Sequence, residues 1–174
     1  LNFYAGTYIA EGLRPLLAKK KGCCVMTCSN TITNSIVRMD WVELLTNLRN
    51  RERGMDLARM IPREKGPAAY SSSKCALARW IRRVSPNWAV DGLRINGVAP
   101  GNTTTPMTKG MTEQQRNAAL LIPIPTRYGT KEFLDAAEIA NSIVFLASPK
   151  ASGINGEILF VDGGIDALMH SERF

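Results

Sequence analysis

The sequence predicts an α/β fold in which helices cover a doubly wound parallel sheet. Three short apolar runs, at residues 23–27, 93–98 and 157–161, have the length and flanking breakers of buried strands. Segments with helical periodicity precede and separate these runs, and such alternation is typical of a parallel sheet. Of the 174 residues, 45% are apolar, which is enough for one buried core. We therefore expect residues 1–174 to form one domain or part of one.

The first two helical regions are predicted from apolar spacing and from where that spacing is interrupted. Residues 3–18 place Phe3, Tyr8, Ile9, Leu13, Leu16 and Leu17 on one helical stripe, and the residues that follow, 19–22, supply the lysines and the glycine of a helix end. Residues 41–60 repeat apolar positions near helical spacing, with a charge-rich interruption at 49–54. One broken helix or two short ones would fit this second region.

The second half of the chain continues the alternation of helices and strands. A helix is predicted over residues 69–89 with a possible break at Pro86, because proline lacks the backbone N–H of a helix interior. Residues 102–130 are rich in Thr, Pro and Gly around a short helical piece at 113–121, and the segment is long enough to be a functional loop or lid. A wide apolar stripe then predicts a helix over residues 132–147.

The net charge of +7 would suit either nucleic acid or an anionic cofactor, but a basic solvated surface produces the same balance. The basic clusters at 19–21 and 82–83 lack interleaved aromatic residues and any binding motif, so we expect no nucleic-acid partner. Apolar runs such as 143–147 are far shorter than the ~20 residues of a membrane-spanning helix. We expect no membrane contact and a cytoplasmic location.

Cysteine and histidine usage argues against metal chemistry. The four cysteines form no CxxC pair, and the sequence has a single histidine, His170, near its end. We therefore expect reduced thiols and no metal site. The first residue is Leu1 and no export signal can be recognised, so we expect the sequence to begin inside a longer protein.

Tyr70 and Lys74 stand four positions apart on a predicted helix, so their side chains project from one face about one turn apart. A phenol with an ordinary pKa is a poor acid or base at neutral pH, whereas a fixed ammonium beside it favours the phenolate. The pair could therefore exchange a proton with a substrate. A surface tyrosine and lysine at helical spacing would look the same, so this pattern alone is weak.

Two further motifs follow the tyrosine and the lysine in order. After the Y-x-x-x-K at 70–74 come Asn96-Gly97-Val98-Ala99-Pro100-Gly101 with threonines behind it, and then the G-x-x-[IL]-x-[VI]-D-G-G at 156–164. With these three motifs the chain resembles the short-chain dehydrogenases/reductases. The segment 162–169 and the long stretch before Tyr70 are similar to the 3-alpha-hydroxysteroid dehydrogenase/carbonyl reductase branch.

The resemblance implies a Rossmann-like fold of which this chain carries the C-terminal half. The family's glycine-rich turn, which brings backbone close to a pyrophosphate, has no counterpart, because no G-x-G-x-x-G or G-x-x-x-G-x-G occurs. The residue that would choose between NAD and NADP is absent as well. We therefore expect an open sheet edge beside the strand at 23–27.

The resemblance also implies roles for four residues. Tyr70 would be the catalytic acid or base, and Lys74 would hold the nicotinamide ribose hydroxyls. Ser29, at the carboxyl end of the first strand, would position the substrate carbonyl, although a turn cap is an alternative role and Cys28-Ser29 departs from the family's usual pattern. Asn2 would hold a water that links Lys74 to solvent through its backbone.

The loop after the second strand would contact the cofactor. Pro100 and Gly101 would turn the chain over the nicotinamide, and Thr103 and Thr105 would contact its carboxamide or the adjacent phosphate. A proline- and threonine-rich surface loop is the alternative. The cofactor would be NAD or NADP, with NAD somewhat favoured by the resemblance, and no metal would be needed.

These inferences predict hydride transfer between a nicotinamide and a secondary alcohol or ketone that is hydrophobic or steroid-like. The lid at 102–130 would supply an apolar wall from Met107, Met111, Leu120, Leu121 and Ile122. A helical insertion at 31–66 would shape the pocket or an oligomer contact, and the protein would be a homo-oligomer, either a dimer or a tetramer. The alternative is a truncated, non-catalytic remnant that acts as an oligomerisation or interaction module.

Overall fold

Helices and strands alternate along the residues that the computed structural model describes, which are 2–47, 51–130 and 132–172. The helices are α1 (Tyr4–Ala18), α2 (Met39–Asn47), α3 (Arg51–Arg59), α4 (Gly66–Val90), α5 (Pro106–Lys109), α6 (Glu113–Ala119), α7 (Ala136–Ala147) and α8 (Ile165–Met169). The strands are β1 (Cys23–Thr27), β2 (Arg94–Pro100), β3 (Thr103–Thr104), β4 (Leu134–Asp135) and β5 (Ile158–Val161).

The main sheet has three parallel strands in the order β1-β2-β5, which confirms the predicted α/β architecture. Cys23 pairs with Arg94 where β1 meets β2, and Gly97 pairs with Ile158 where β2 meets β5. Because all three strands run in the same direction, their carboxyl ends lie at one edge of the sheet. Among the described strands, β1 has a neighbour on one side only.

Helices cover both faces of this sheet. On one face, α4 packs against β2 through the fully buried Ile81, Trp88 and Ile95, and α1 lies against β1. On the other face, Val98 of β2 packs with Leu146 of α7 and with residues of the segment that precedes this helix. Burial of apolar surface on both faces is the main contribution to the stability of such a layered fold. In the described part of the chain, no helix is both long and apolar enough to cross a membrane.

The helix α4 continues through Pro86 without the break that the sequence analysis allowed. Proline has no N–H for the carbonyl of Arg82, four positions earlier. The hydroxyl of Ser85 donates to this carbonyl at 3.1 Å and supplies the missing hydrogen bond. A buried serine beside the proline therefore keeps the helix continuous.

The apolar stripe predicted on α1 is only partly covered. Phe3 is buried and Leu17 packs against the core, whereas four other members of the stripe are exposed: Tyr8 (75%), Ile9 (59%), Leu13 (47%) and Leu16 (59%). Helical spacing identifies the apolar face of a helix but does not show what covers it. This face lies beside β1, which is at one edge of the sheet among the described strands.

The segment 102–135 contains a pairing that periodicity did not predict. The two-residue strands β3 and β4 pair in parallel, with Thr103 opposite Leu134. As a result α7 begins at Ala136 and not at 132, and Asp135 caps it in a capping box with Glu138. The predicted insertion at 31–66 contains the two short helices α2 and α3, and its residues 48–50 lie outside the described part.

Candidate active site

Tyr70 and Lys74 lie on one face of α4, near the carboxyl end of β1. The ammonium of Lys74 donates a hydrogen bond of 2.8 Å to the carbonyl oxygen of Thr27, the last residue of β1. The same nitrogen lies 6.0 Å from the centre of the Tyr70 ring, which is 41% exposed. The strand end therefore fixes the lysine next to an accessible phenol.

Burial defines the electrostatic surroundings of Lys74. Desolvation is the larger effect and lowers the pKa of this ammonium, whereas a thiolate at the neighbouring Cys28 would raise it. Burial raises the pKa of Cys28 to about 12, so this thiol stays protonated at neutral pH. Lys74 is therefore a partly desolvated cation, and its bond to Thr27 leaves ammonium hydrogens for a further acceptor.

Asn2 lies beside both members of the pair. It is exposed, precedes α1, and lines a cavity of about 410 Å³ together with Thr27 and Lys74. It also lines a second cavity, which contains Tyr70 on its wall. The structure thus brings Asn2, Tyr70 and Lys74 to one region of the protein.

Ser29 follows β1 and is 7% exposed. Its side-chain oxygen accepts hydrogen bonds from the backbone N–H of Thr31 at 3.3 Å and from the Thr31 hydroxyl at 3.1 Å. It therefore caps the 3-10 turn Asn30–Thr33, which is the alternative role considered for it above. Because these two bonds are accepted, the serine keeps its own O–H hydrogen to donate.

The loop after β2 is held by its own hydrogen bonds. Thr103 donates to the carbonyl of Gly101 at 2.9 Å, and Thr105 caps α5 by accepting from the backbone N–H of Thr108. Pro100 ends β2 opposite Val161. These residues lie at the same edge of the sheet as Ser29, and each threonine hydroxyl has a partner within the loop.

The D-G-G motif at residues 162–164 forms a turn. Asp162 is 3% exposed, and its carboxylate accepts hydrogen bonds from the backbone N–H groups of Gly164 (2.9 Å) and Asp166 (2.7 Å). Gly163 and Gly164 adopt φ values of +69° and +95°, which favour glycine. The Thr33 hydroxyl donates to Asp166 at 2.5 Å and so joins this turn to the segment after Ser29.

The cavity beside Tyr70 is lined in large part by residues of the predicted helical insertion at 31–66. Its volume is about 430 Å³, and α2 and α3 supply much of its apolar wall. The five lid residues proposed above do not line it among the described residues, and Met107 and Leu121 are 85% and 82% exposed. Apolar spacing at 41–60 predicted these helices, whereas the packing that leaves a cavity between them and α4 depends on tertiary contacts.

Comparison with known proteins gives matches over most of the chain. A family model described as enoyl-(acyl carrier protein) reductase matches residues 55–166. A 3-alpha-hydroxysteroid dehydrogenase/carbonyl reductase from Comamonas testosteroni is 27% identical over 176 residues, which cover 100% of this chain and 67% of that protein. A 3-oxoacyl-(acyl-carrier-protein) reductase FabG from Vibrio cholerae is 38% identical over 100 residues, with 58% of this chain and 39% of that protein covered.

Solved structures match the fold as well. The crystal structure of a 3-alpha-hydroxysteroid dehydrogenase from Pseudomonas sp. B-0831, complexed with NADH, has a TM-score of 0.85 at 29% identity. The match covers 99% of this chain and 67% of that one. The chain thus spans about two thirds of the two hydroxysteroid dehydrogenases and a smaller share of FabG.

The parallel sheet, with a tyrosine and a lysine one helical turn apart beside a strand end, defines a Rossmann-like α/β protein. Together with the family match over residues 55–166, it shows that the chain belongs to the short-chain dehydrogenase/reductase family of NAD(P)-dependent oxidoreductases.

The residues present fit one part of a nicotinamide dinucleotide. Lys74 presents ammonium hydrogens at the edge of a cavity of about 410 Å³, and this partly desolvated donor suits the hydroxyls of a ribose. The sequence holds no glycine-rich phosphate turn. The fit is therefore to the nicotinamide ribose and not to the pyrophosphate.

Proposed function

We propose that this protein transfers hydride between a nicotinamide dinucleotide and a secondary alcohol or ketone with a hydrophobic, ring-containing body. The observation that carries the proposal is the fixed Tyr70–Lys74 pair, with Lys74 bonded to the end of β1 and 6.0 Å from the phenol ring. Membership of the family supports the reaction type. The hydroxysteroid dehydrogenases among its relatives support the hydrophobic substrate class.

The chain's own residues would handle the proton and the position of the substrate. A bound nicotinamide would supply or accept the hydride. Tyr70 would give its phenolic proton to the substrate oxygen in reduction and take it back in oxidation. Lys74 would hold the ribose hydroxyls, and the free O–H of Ser29 would donate to the substrate oxygen as charge develops there. Asn2 would complete the path from Lys74 to solvent.

NAD is the dinucleotide that we propose. The support is the related Pseudomonas enzyme, whose structure contains NADH. In this proposal Pro100, Gly101, Thr103 and Thr105 contact the nicotinamide end, which requires Thr103 and Thr105 to use the backbone or to exchange their present partners. The protein would act in the cytoplasm as a homo-oligomer.

The test is turnover with a defined set of substrates. Reduced-nicotinamide absorbance is followed with NAD and with NADP, using cyclohexanol, 2-decalol, a 3-hydroxysteroid and the polyol sorbitol as alcohols. We expect turnover with NAD that increases with the apolar bulk of the alcohol. Turnover of polyols only, or no turnover with any alcohol in the presence of bound dinucleotide, would contradict the proposal. The intact mass of the purified protein is measured on the same sample.

One observation favours a second candidate function. The edge strand β1 and the exposed side chains Tyr8, Ile9, Leu13 and Leu16 of α1 form an apolar border that an interaction module would use. If a chain of 19.1 kDa self-associates but binds neither NAD nor NADP, this non-catalytic role replaces the first. Dinucleotide binding by calorimetry, with association measured by sedimentation, separates the two functions.

A further inference from the structure

Two serines of the chain cap 3-10 turns in the same way but use their hydroxyl hydrogens differently. Ser148 accepts a hydrogen bond from the backbone N–H of Lys150 at 3.3 Å, and its own hydroxyl donates to the carbonyl of Phe145 at 2.8 Å. Ser29 accepts from the backbone N–H of Thr31, also at 3.3 Å. Its hydroxyl hydrogen has no acceptor among the described residues. Capping a turn therefore does not explain why the hydrogen of Ser29 stays free.

Thr31 supplies a second hydrogen bond that a turn cap does not need. Its hydroxyl donates to the side-chain oxygen of Ser29 at 3.1 Å, in addition to the bond from its backbone N–H. A hydroxyl oxygen has two lone pairs, so both acceptor positions of Ser29 are filled. The Ser29 hydroxyl can then only donate, and the bonds that it accepts strengthen the bond that it donates. A serine in this state is suited to stabilising negative charge on a neighbouring oxygen.

The turn that carries Thr31 is anchored at both ends. Before the turn, the backbone N–H of Cys28 donates to the carbonyl of Val98 in β2 at 2.7 Å. At its last residue, the hydroxyl of Thr33 donates to the carboxylate of Asp166 in α8 at 2.5 Å. Because a strand and a helix hold the two ends, the two hydroxyls between them have little freedom to separate.

We propose that Thr31 is a positioning residue that keeps the Ser29 hydroxyl as a hydrogen-bond donor to the substrate oxygen. This inference rests on the proposed function, in which Tyr70 exchanges a proton with the same oxygen. An alcohol that accepts a hydrogen bond from the serine keeps its own O–H hydrogen for Tyr70. A ketone receives the serine's bond as negative charge develops on its oxygen. Without the Thr31 hydroxyl, Ser29 has a free lone pair, and an alcohol can donate to the serine instead of to Tyr70.

The kinetic test is the substitution Thr31→Val, which removes the hydroxyl and keeps the backbone N–H of the cap. We expect kcat for the oxidation of 2-decalol with NAD to fall about three- to tenfold while KM for the alcohol does not rise, because the alcohol still binds but is oriented less often for proton transfer. Thr31→Ser restores a hydroxyl and should return kcat to within about twofold of the unchanged protein. Thr7→Val is the matched control, since the Thr7 hydroxyl donates to the Tyr4 carbonyl within α1.

A second measurement needs neither a dinucleotide nor turnover. Ser29→Cys replaces the serine oxygen by a thiol, and donors that point at this position stabilise the thiolate. In protein labelled with ¹³C at the cysteine Cβ, the resonance that the unchanged protein lacks reports this thiol, and its shift with pH gives the acid dissociation constant. We expect Thr31→Val to lower this constant about three- to tenfold, Thr31→Ser to restore it, and Thr7→Val to leave it unchanged.

Three results would overturn the inference: an unchanged kcat in Thr31→Val, a loss of turnover that Thr31→Ser does not restore, or equal ionisation of the thiol with and without the Thr31 hydroxyl. If Thr31→Val does not fold, Thr31→Ala removes the same hydroxyl and takes its place in both measurements. If the unchanged protein binds NAD but oxidises no alcohol, the proposed function fails, and the thiol measurement alone decides whether Thr31 sets the hydrogen bonding at position 29. Turnover that is insensitive to Thr31→Val would retain the proposed function and remove the positioning role.

Discussion

Gly101 and Asp162 lie in direct contact at the carboxyl edge of the sheet. A Cβ on Gly101 would stand 2.7 Å from the Cβ of Asp162 and 2.8 Å from its Cα. The N–H of Gly101 donates to the carbonyl of Val161 at 3.0 Å, which extends the pairing of β2 and β5 by one residue. Two motifs that are far apart in the sequence thus form one packed unit, which supports the strand ends behind the candidate active site.

Gly101→Ala should destabilise the fold, because the new methyl group meets backbone that cannot move without breaking this pairing. Overpacking of this kind typically costs about 1–3 kcal/mol. Urea denaturation measures this cost as a decrease in the free energy of unfolding. Gly110→Ala is the control, since its nearest neighbour is the carbonyl oxygen of Met107 at 3.7 Å, and a comparable loss there would contradict the explanation.

Asp162→Ala should weaken the turn that leads into α8. The substitution leaves the backbone N–H groups of Gly164 and Asp166 without their carboxylate acceptor, at an expected cost of about 1–3 kcal/mol. The same urea measurement applies. Asp56→Ala is the matched control, because the ion pair between Asp56 and Arg59 is exposed and pairs of this kind contribute little; equal effects at both positions would count against the capping role.

Ser85→Ala should destabilise α4 by about 1 kcal/mol. Pro86 has no N–H, so the Arg82 carbonyl would lose the hydroxyl that is its donor. Pro86→Ala would restore an N–H in the helix. The cost of Ser85→Ala should therefore shrink in the Pro86→Ala background, and a double-mutant cycle measures this coupling. Additive effects of the two substitutions would mean that the serine hydroxyl does not replace the missing bond.

Lys74 predicts a dependence of stability on pH. Burial lowers its pKa in the folded state, so between that lowered value and about 10.4 the unfolded chain binds more protons than the folded one. The contribution of Lys74 to stability should therefore rise as pH increases through this window and be reduced below it. Unfolding is compared between the unchanged protein and Lys74→Met at several alkaline pH values. The difference in the free energy of unfolding should grow in favour of the protein that keeps Lys74, and no growth with pH would contradict the prediction.

Tyr70→Phe should reduce kcat by about 10²–10⁴-fold in the hydride-transfer reaction, since the phenolic proton is the group that the substrate oxygen needs. The affinity for the dinucleotide should stay within about twofold, because the aromatic ring remains. Steady-state kinetics and calorimetric titration measure the two quantities. Tyr128→Phe, at a position that is 81% exposed, is the control. Retained turnover in Tyr70→Phe would reject the role of this residue.

The strands of the main sheet and the Tyr70–Lys74 face could be predicted because local patterns determine them. The strand at 23–27 is a short apolar run between a lysine-glycine end and small polar residues, and it forms with those bounds. Helical spacing placed Tyr70 and Lys74 one turn apart, and the structure adds the contact with Thr27 that orients the lysine. That contact joins residues far apart in the sequence, so no local pattern contains it.

Other features depended on tertiary contacts and could not be predicted. β3 and β4 have two residues each, too few for any periodicity, and they shift the start of α7 to Ala136. The Ser85 hydroxyl donates to the Arg82 carbonyl that Pro86 leaves without an N–H, and the presence of a proline in the sequence does not show this bond. The Tyr4 hydroxyl is buried, has no hydrogen-bond partner in the described part of the chain, and lies against Gly54 of a different helix.

The pairing of the main sheet also has a consequence for how the chain folds. Cys23 of β1 pairs with Arg94 of β2, and Gly97 of β2 pairs with Ile158 of β5. Each pair therefore joins strands that are far apart in the sequence. Contacts of this kind give a high contact order, and the entropy of closing such long loops slows folding. On a ribosome, β2 would emerge well before β5. The edge of β2 that pairs with β5 would stay unpaired until β5 is made. During synthesis, aggregation through that edge is the hazard that this topology creates.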